Sequence, residues 1–234
     1  MVDISKRSVW ISWIWANAWA ELLGLGATFS LGYGIFASLE EPQTLLAILG
    51  FVLLMTATGI IEGTVVGWFQ WRVLRRLFAE ISLRAWWAAT LLGALTAWFL
   101  GSLPSSLMGM GSEEAGMAPI EPPLVLILLL ACGMGLILGV ILALPQWRVL
   151  RKHAARAWVW LPANCLAWGL GMALIFAGID IVQRIGTLAG FLIGMTVTLF
   201  ITGAVVGSIH GAFLVRMTST KVSRDPLVSE VASE

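Results

Sequence analysis

Charge is what this chain has least of. Only 12% of its 234 residues are Asp, Glu, Lys or Arg, against 59% hydrophobic residues and a mean hydropathy of +0.92. A composition so poor in charge cannot be spread over the surface of a water-soluble domain. An excess of either sign is missing too: 14 Lys and Arg balance 13 Asp and Glu, so nothing points to nucleic acid or to an acidic partner. Cysteine is scarce. Cys132 and Cys165 fall in different apolar runs without metal-ligand spacing, and read as small packing residues. There is no Walker loop, nucleophile elbow, CxxC, HExxH or intramembrane Ser/His/Asp set, so enzymatic activity is not expected. The first apolar run also lacks the short h-region and small-residue cleavage site of a secretory signal, and is expected to remain as a helix.

Long apolar runs fill the space that charge leaves. Six of them, near 10–38, 43–71, 85–103, 122–145, 157–178 and 186–215, each reach the roughly 20 residues that a helix needs to cross a hydrocarbon core. The expected fold is therefore an all-α polytopic membrane protein, with one transmembrane domain over 1–216 and a disordered cytoplasmic tail over 217–234. The bases sort to one side: Lys6 and Arg7, then Arg72, Arg75, Arg76 and Arg84, then Arg148, Arg151, Lys152 and Arg156, then Arg216, Lys221 and Arg224. Only Arg184 falls where Glu40, Glu41, Glu113, Glu114, Glu121 and Asp180 collect. The positive-inside rule puts both termini in the cytoplasm. Most of the Trp residues lie toward the same helix ends, among them Trp10, Trp13, Trp15, Trp19, Trp68, Trp86, Trp87, Trp158 and Trp160, with Trp98 and Trp168 as exceptions. Such a distribution reads as an aromatic belt at the headgroup level.

A hexapeptide repeats without change. Gln70-Trp71-Arg72-Val73-Leu74-Arg75 recurs as Gln146-Trp147-Arg148-Val149-Leu150-Arg151, and each copy closes an even-numbered span. The end of the sixth span aligns without gaps, with His210 in the Gln place and Leu214 matching Leu74 and Leu150. Upstream, Gly63 and Gly67 align with Gly139 and Ala143, and with Gly203 and Gly207. This spacing of i, i+4, i+7 puts two small residues and one polar residue on a single helix face, where neighbouring backbones can approach. The odd-numbered spans carry a weaker echo: Trp13, Asn17, Glu21 and Gly24 match Trp160, Asn164, Trp168 and Gly171, and more loosely Trp86, Thr90, Ala94 and Ala97. The pattern predicts three tandem two-helix hairpin repeats, approximately 8–76, 84–152 and 156–216, arranged about a pseudo-threefold axis along the membrane normal. The proline-x-acid-x-x-base signature of mitochondrial carriers, which also use three two-helix repeats, is absent.

Tandem Asn- and Trp-bearing spans followed by a small-residue helix ending in Gln-Trp-x-x-Leu-Arg resemble a group of uncharacterised bacterial polytopic membrane proteins, cyanobacterial ones included. The resemblance covers nearly all the spans and rests chiefly on the two Gln-Trp-Arg-Val-Leu-Arg copies. It implies a fold and a multi-pass place in the bacterial inner membrane, and carries no activity, cofactor or mechanism.

Two acids stand out. Glu21 and Glu62 sit roughly 15 Å from the basic helix ends at 1.5 Å of rise per residue, about mid-bilayer, and no Lys or Arg shares that layer. A charge at that depth costs on the order of 3 kcal/mol, so such acids are expected to be protonated, mutually hydrogen-bonded or facing a wet cavity. Both also break the repeat, since Trp168 stands in the place of Glu21, and Leu138 and Thr202 in the place of Glu62. They are candidates for a proton, cation or amine site, with neutral structural hydrogen bonding as the alternative. Asn17 and Asn164, one turn nearer the basic ends, either extend a polar path or bridge helices. Gln70, Gln146 and His210 read first as glue between helices and second as a polar ring lining a vestibule. His210 has no second nearby ligand for a metal or haem. Pro145 is expected to kink or end the fourth helix, and 104–123 to form a flexible outer loop. A small transporter or channel is the expected function. The alternative is a non-catalytic subunit packing against a membrane-protein partner or its own copies, or a scaffold holding lipid or pigment.

Overall fold

Residues 5–39, 44–114 and 122–217 are described by a computed structural model. They form six helices, each with a stretch long and apolar enough to cross a membrane: α1 (Lys6–Ser38), α2 (Leu45–Leu74), α3 (Leu83–Glu114), α4 (Leu124–Leu150), α5 (Trp160–Ile185) and α6 (Leu188–Met217). The described residues contain no strand. Each helix packs against the next, and α6 returns to α1, closing a ring. The outward faces are apolar: Leu129, Leu130 and Ile137 of α4 are each more than half exposed, as befits a surface whose solvent is lipid.

Local chemistry sets the ends of these helices. Thr44 caps α2 by accepting from the Ala47 N–H at 3.2 Å, and Ser82 and Thr187 do the same for Ala85 and Gly190 at the starts of α3 and α6. The two hexapeptide copies end in the same turn. The carbonyl of Leu74 accepts from Leu77 and Phe78, and that of Leu150 from His153 and Ala154, so identical sequence gives identical termination. Helix α5 stops at Gly186, whose φ of 68° is the left-handed conformation that glycine adopts without strain.

Three expectations need correction. The fourth helix neither ends at Pro145 nor near it, but runs on to Leu150. The proline forfeits one intrahelical hydrogen bond, leaving the Ile141 carbonyl without its usual donor. Helix α3 continues past Pro104 to Glu114, so the first half of the expected outer loop is helical; residues 115–121 and the tail from 218 lie outside the described residues. The fifth span extends to Ile185 because Asp180 and Arg184, which look like a break in sequence, pair at 2.8 Å one turn apart on the same helix.

The small-residue faces set how closely the helices meet. A Cβ added at Gly139 of α4 would fall on the backbone of Asn164 and Cys165 in α5. One at Gly63 of α2 would meet Leu91 and Ala94 of α3, and one at Gly203 of α6 would meet Asn17, Ala18 and Glu21 of α1. Even-numbered helices thus press their small faces onto the odd-numbered helix that follows round the ring. The Trp residues divide accordingly. Trp15, Trp19 and Trp158 are exposed as a belt requires, but Trp13, Trp86 and Trp160 are completely buried. Trp160 stands between the other two, edge-on to Trp13 at 6.1 Å and to Trp86 at 6.2 Å, and with Leu74, Leu150 and Leu214 they plug one end of the bundle.

Candidate functional site

Above that aromatic plug, all six helices contribute to one cavity of about 20 Å³, room for a water molecule and too little for an organic substrate. Glu21 enters from α1, Glu62 and Gln70 from α2, Thr90 from α3, Gln146 from α4, Asn164 and Trp168 from α5, and His210 from α6. Among the described residues, no Lys or Arg lines it. The structure thus brings every sequence-singled position to one place except Asn17, which lies directly behind Gln70 and is fully buried.

Toward the plug, amides dominate and are connected. Gln146 is the hub: its Nε2 donates to Thr90 Oγ1 at 3.0 Å and to Gln70 Oε1 at 3.3 Å, while its Oε1 accepts from Trp160 Nε1 at 3.0 Å. Gln70 Nε2 donates onward to Asn17 Oδ1 at 2.9 Å. The chain ends on backbone, with Asn17 Nδ2, Asn164 Nδ2 and Thr90 Oγ1 each donating to the carbonyl four residues earlier, those of Trp13, Trp160 and Trp86. Five helices are tied together by side chains that each find a partner. His210 lies outside this network, as do the buried indole N–H groups of Trp13 and Trp86, which have no partner. The His210 ring lies tilted against that of Trp160 at 5.1 Å, and neither of its buried nitrogens has a hydrogen-bond partner.

Toward the other end the acids take over. Glu62 accepts from the Trp98 indole N–H at 2.6 Å. Glu21 is 1% exposed, and its Oε2 has no partner. Its backbone is also unusual: residues Glu21–Leu25 form a π-helical turn within α1, a widening that recurs at functional sites. Gly24 lies in that turn, and a Cβ there would stand 3.2 Å from the Glu62 Cα, so the glycine lets the two acid-bearing helices close up. Thr202 of α6, fully buried, has an unpartnered hydroxyl as well. Among the described residues, no three His, Cys, Asp or Glu side chains are arranged to hold a metal ion. Cys132 and Cys165 are both free.

Sequence reasoning missed Trp98 and Thr90 as members of the site. A signal for Trp98 was present: it and Trp168 are the two Trp residues away from the belt, and both prove to belong to the acid region, one bonded to Glu62 and the other lining the cavity. Thr90 was visible only as the repeat counterpart of Asn17 and Asn164.

No protein-family model, curated protein or solved structure matches this chain.

Proposed function

We propose that the chain is a small membrane transporter or channel whose translocated species passes through the cavity between Glu21 and Glu62. One observation carries the reading: two acids from different helices share a cavity with no Lys or Arg among its described lining residues, and one carboxyl oxygen is buried without a partner. Leaving a buried polar atom unpaired costs on the order of 1–3 kcal/mol, a cost that a purely structural carboxyl has no reason to carry. The size of the cavity favours a proton or a small cation over an amine. Tandem hairpins related by a threefold axis along the membrane normal belong to the same proposal, supported by the convergence of Trp13, Trp86 and Trp160 and of Gln70, Gln146 and His210. Both termini in the cytoplasm, supported by the one-sided bases, and a bacterial inner membrane, supported by the resemblance noted above, complete it.

Glu21→Gln and Glu62→Gln test the acid site. Each should leave expression and folding nearly intact while reducing pH-dependent flux in reconstituted vesicles, and unchanged flux in the double variant would defeat the proposal. The second reading, a packing subunit or a scaffold for lipid or pigment, draws its support from the amide network, which joins five helices with no orphaned amide. Mass spectrometry of gently extracted protein separates the two: a stoichiometric retained partner, lipid or pigment would favour the second.

A further inference from the structure

Glu21 and His210 enter the same cavity from α1 and α6, each more than nine-tenths buried, and each with hydrogen-bonding atoms that nothing in the protein satisfies. The cavity between them has room for a water and is polar enough to hold one. We propose that a buried water joins Glu21 to His210 as a proton relay, and that the species translocated by this protein is the proton. The inference rests on the transport reading of the cavity and narrows it.

The step balances within the site. The Glu21 O–H bond breaks as its proton passes to the water, and a different O–H bond of that water breaks as its proton passes to the lone pair of the His210 imidazole. A carboxylate, an intact water and an imidazolium remain. The Trp160 ring lies beside His210, centroid to centroid 5.1 Å, close enough for an aromatic ring to attract an imidazolium. Release of the proton from the other ring nitrogen returns the imidazole to neutrality, so a histidine with both nitrogens unengaged can pass a proton on, whereas one pinned by two protein partners cannot. Among the described residues, Glu62 is the only other titratable group lining the cavity. Its Oε2 accepts from Trp98, so Glu62 is tied to the protein through one oxygen while Glu21 Oε2 is buried with no partner.

His210→Gln is the natural probe, because Gln stands at the corresponding positions 70 and 146 and hydrogen-bonds without titrating. The full chain should be reconstituted in phosphatidylethanolamine–phosphatidylglycerol vesicles enclosing a pH-sensitive dye, with proton flux followed under an imposed membrane potential. The wild type should move protons, and both His210→Gln and Glu21→Gln should lower the rate at least tenfold. Wild-type rates in His210→Gln, with loss in Glu21→Gln, would overturn the relay while leaving the acid site in place. Rates unaffected by either substitution would overturn both readings. Flux of Na⁺ or K⁺ without proton flux would overturn the choice of the proton alone. A second measurement does not depend on the folding of the histidine variant. The chain has two histidines, so ring-¹⁵N labelling gives two sets of signals, those of His153 assignable by its substitution. Glu21→Gln should shift the His210 signals if water links the pair, and unmoved signals would overturn the link.

Discussion

The amide layer and the acid layer share one axis and one cavity, yet they are built on opposite rules. Around Gln146, every side-chain amide has a partner and the bonds run in sequence from Trp160 to Asn17. Around Glu21, a carboxyl oxygen, a threonine hydroxyl and a distorted helical turn lie within a few residues of one another, and only Glu62 is tied down. In lipid no water competes for polar groups, so a closed network stabilises helix association while an open one costs stability. The proposed function places architecture in the first layer and chemistry in the second. His210 marks where the two meet, since it occupies a place in the amide layer and behaves like the acid one.

The largest expected effect is on the helix contact that holds both layers in register. Gly139→Val would force a branched side chain onto the Asn164 and Cys165 backbone and should cost about 3 kcal/mol or more, read as a loss of folded protein in mixed-micelle unfolding. Retained stability would mean that α4 and α5 do not meet this closely. Next comes Gln146→Leu. It removes three hydrogen bonds and strands the Trp160 N–H; at about 0.6 kcal/mol per bond in membranes the loss should be about 2 kcal/mol in the same assay. A negligible change would deny the amide layer its structural role.

How much of this was legible in the sequence follows from the range of each signal. The apolar runs are local and reveal all six helices, because lipid allows a spanning segment few alternatives. The hexapeptide copies likewise pick out Gln70 and Gln146, whose bond to each other is the centre of the amide layer. The burial of Trp13, Trp86 and Trp160 was not legible, since a Trp near a helix end satisfies the interface rule whether it faces lipid or the bundle axis, and only packing decides. The ends of α4 and α5 were misplaced for a different reason. Pro145 and the Asp180–Arg184 pair are break signals whose cost the helix meets locally, by forgoing one backbone bond in the first case and by pairing at i, i+4 in the second. Glu21 and Glu62 stood out because charge is rare at that depth; their common cavity depends on the π-helical turn and on Gly24, whose backbone consequence no periodicity predicts.

A smaller effect probes the acid layer. Trp98→Phe keeps the ring and deletes the N–H that Glu62 accepts at 2.6 Å, and should cost about 1 kcal/mol. It should also raise the labelling of Glu62 by an apolar carbodiimide, followed by peptide mass spectrometry. Unchanged labelling would show that the indole does not shield the carboxyl.

The smallest effect has the opposite sign. At two corners of the amide layer, Gln70 reaches Asn17 and Gln146 reaches Thr90, and the Gln146 carbonyl oxygen also takes the N–H of Trp160. At the third corner the repeat offers Asn164 as the corresponding partner, which the shorter imidazole does not engage; the Trp13 N–H is unpartnered there, as the Trp86 N–H is at the corner of Gln70. Gln in place of His210 restores the missing reach. His210→Gln should therefore raise stability by about 0.6 kcal/mol for the bond regained to Asn164, a gain measurable as a shift of the unfolding midpoint. Destabilisation would instead mean that His210 already makes bonds through water strong enough to outweigh a direct one. A gain in stability together with a loss of proton flux is the signature of a residue kept for function against the preference of the fold. The same substitution thus weighs the rules of the two layers at the one position where they compete.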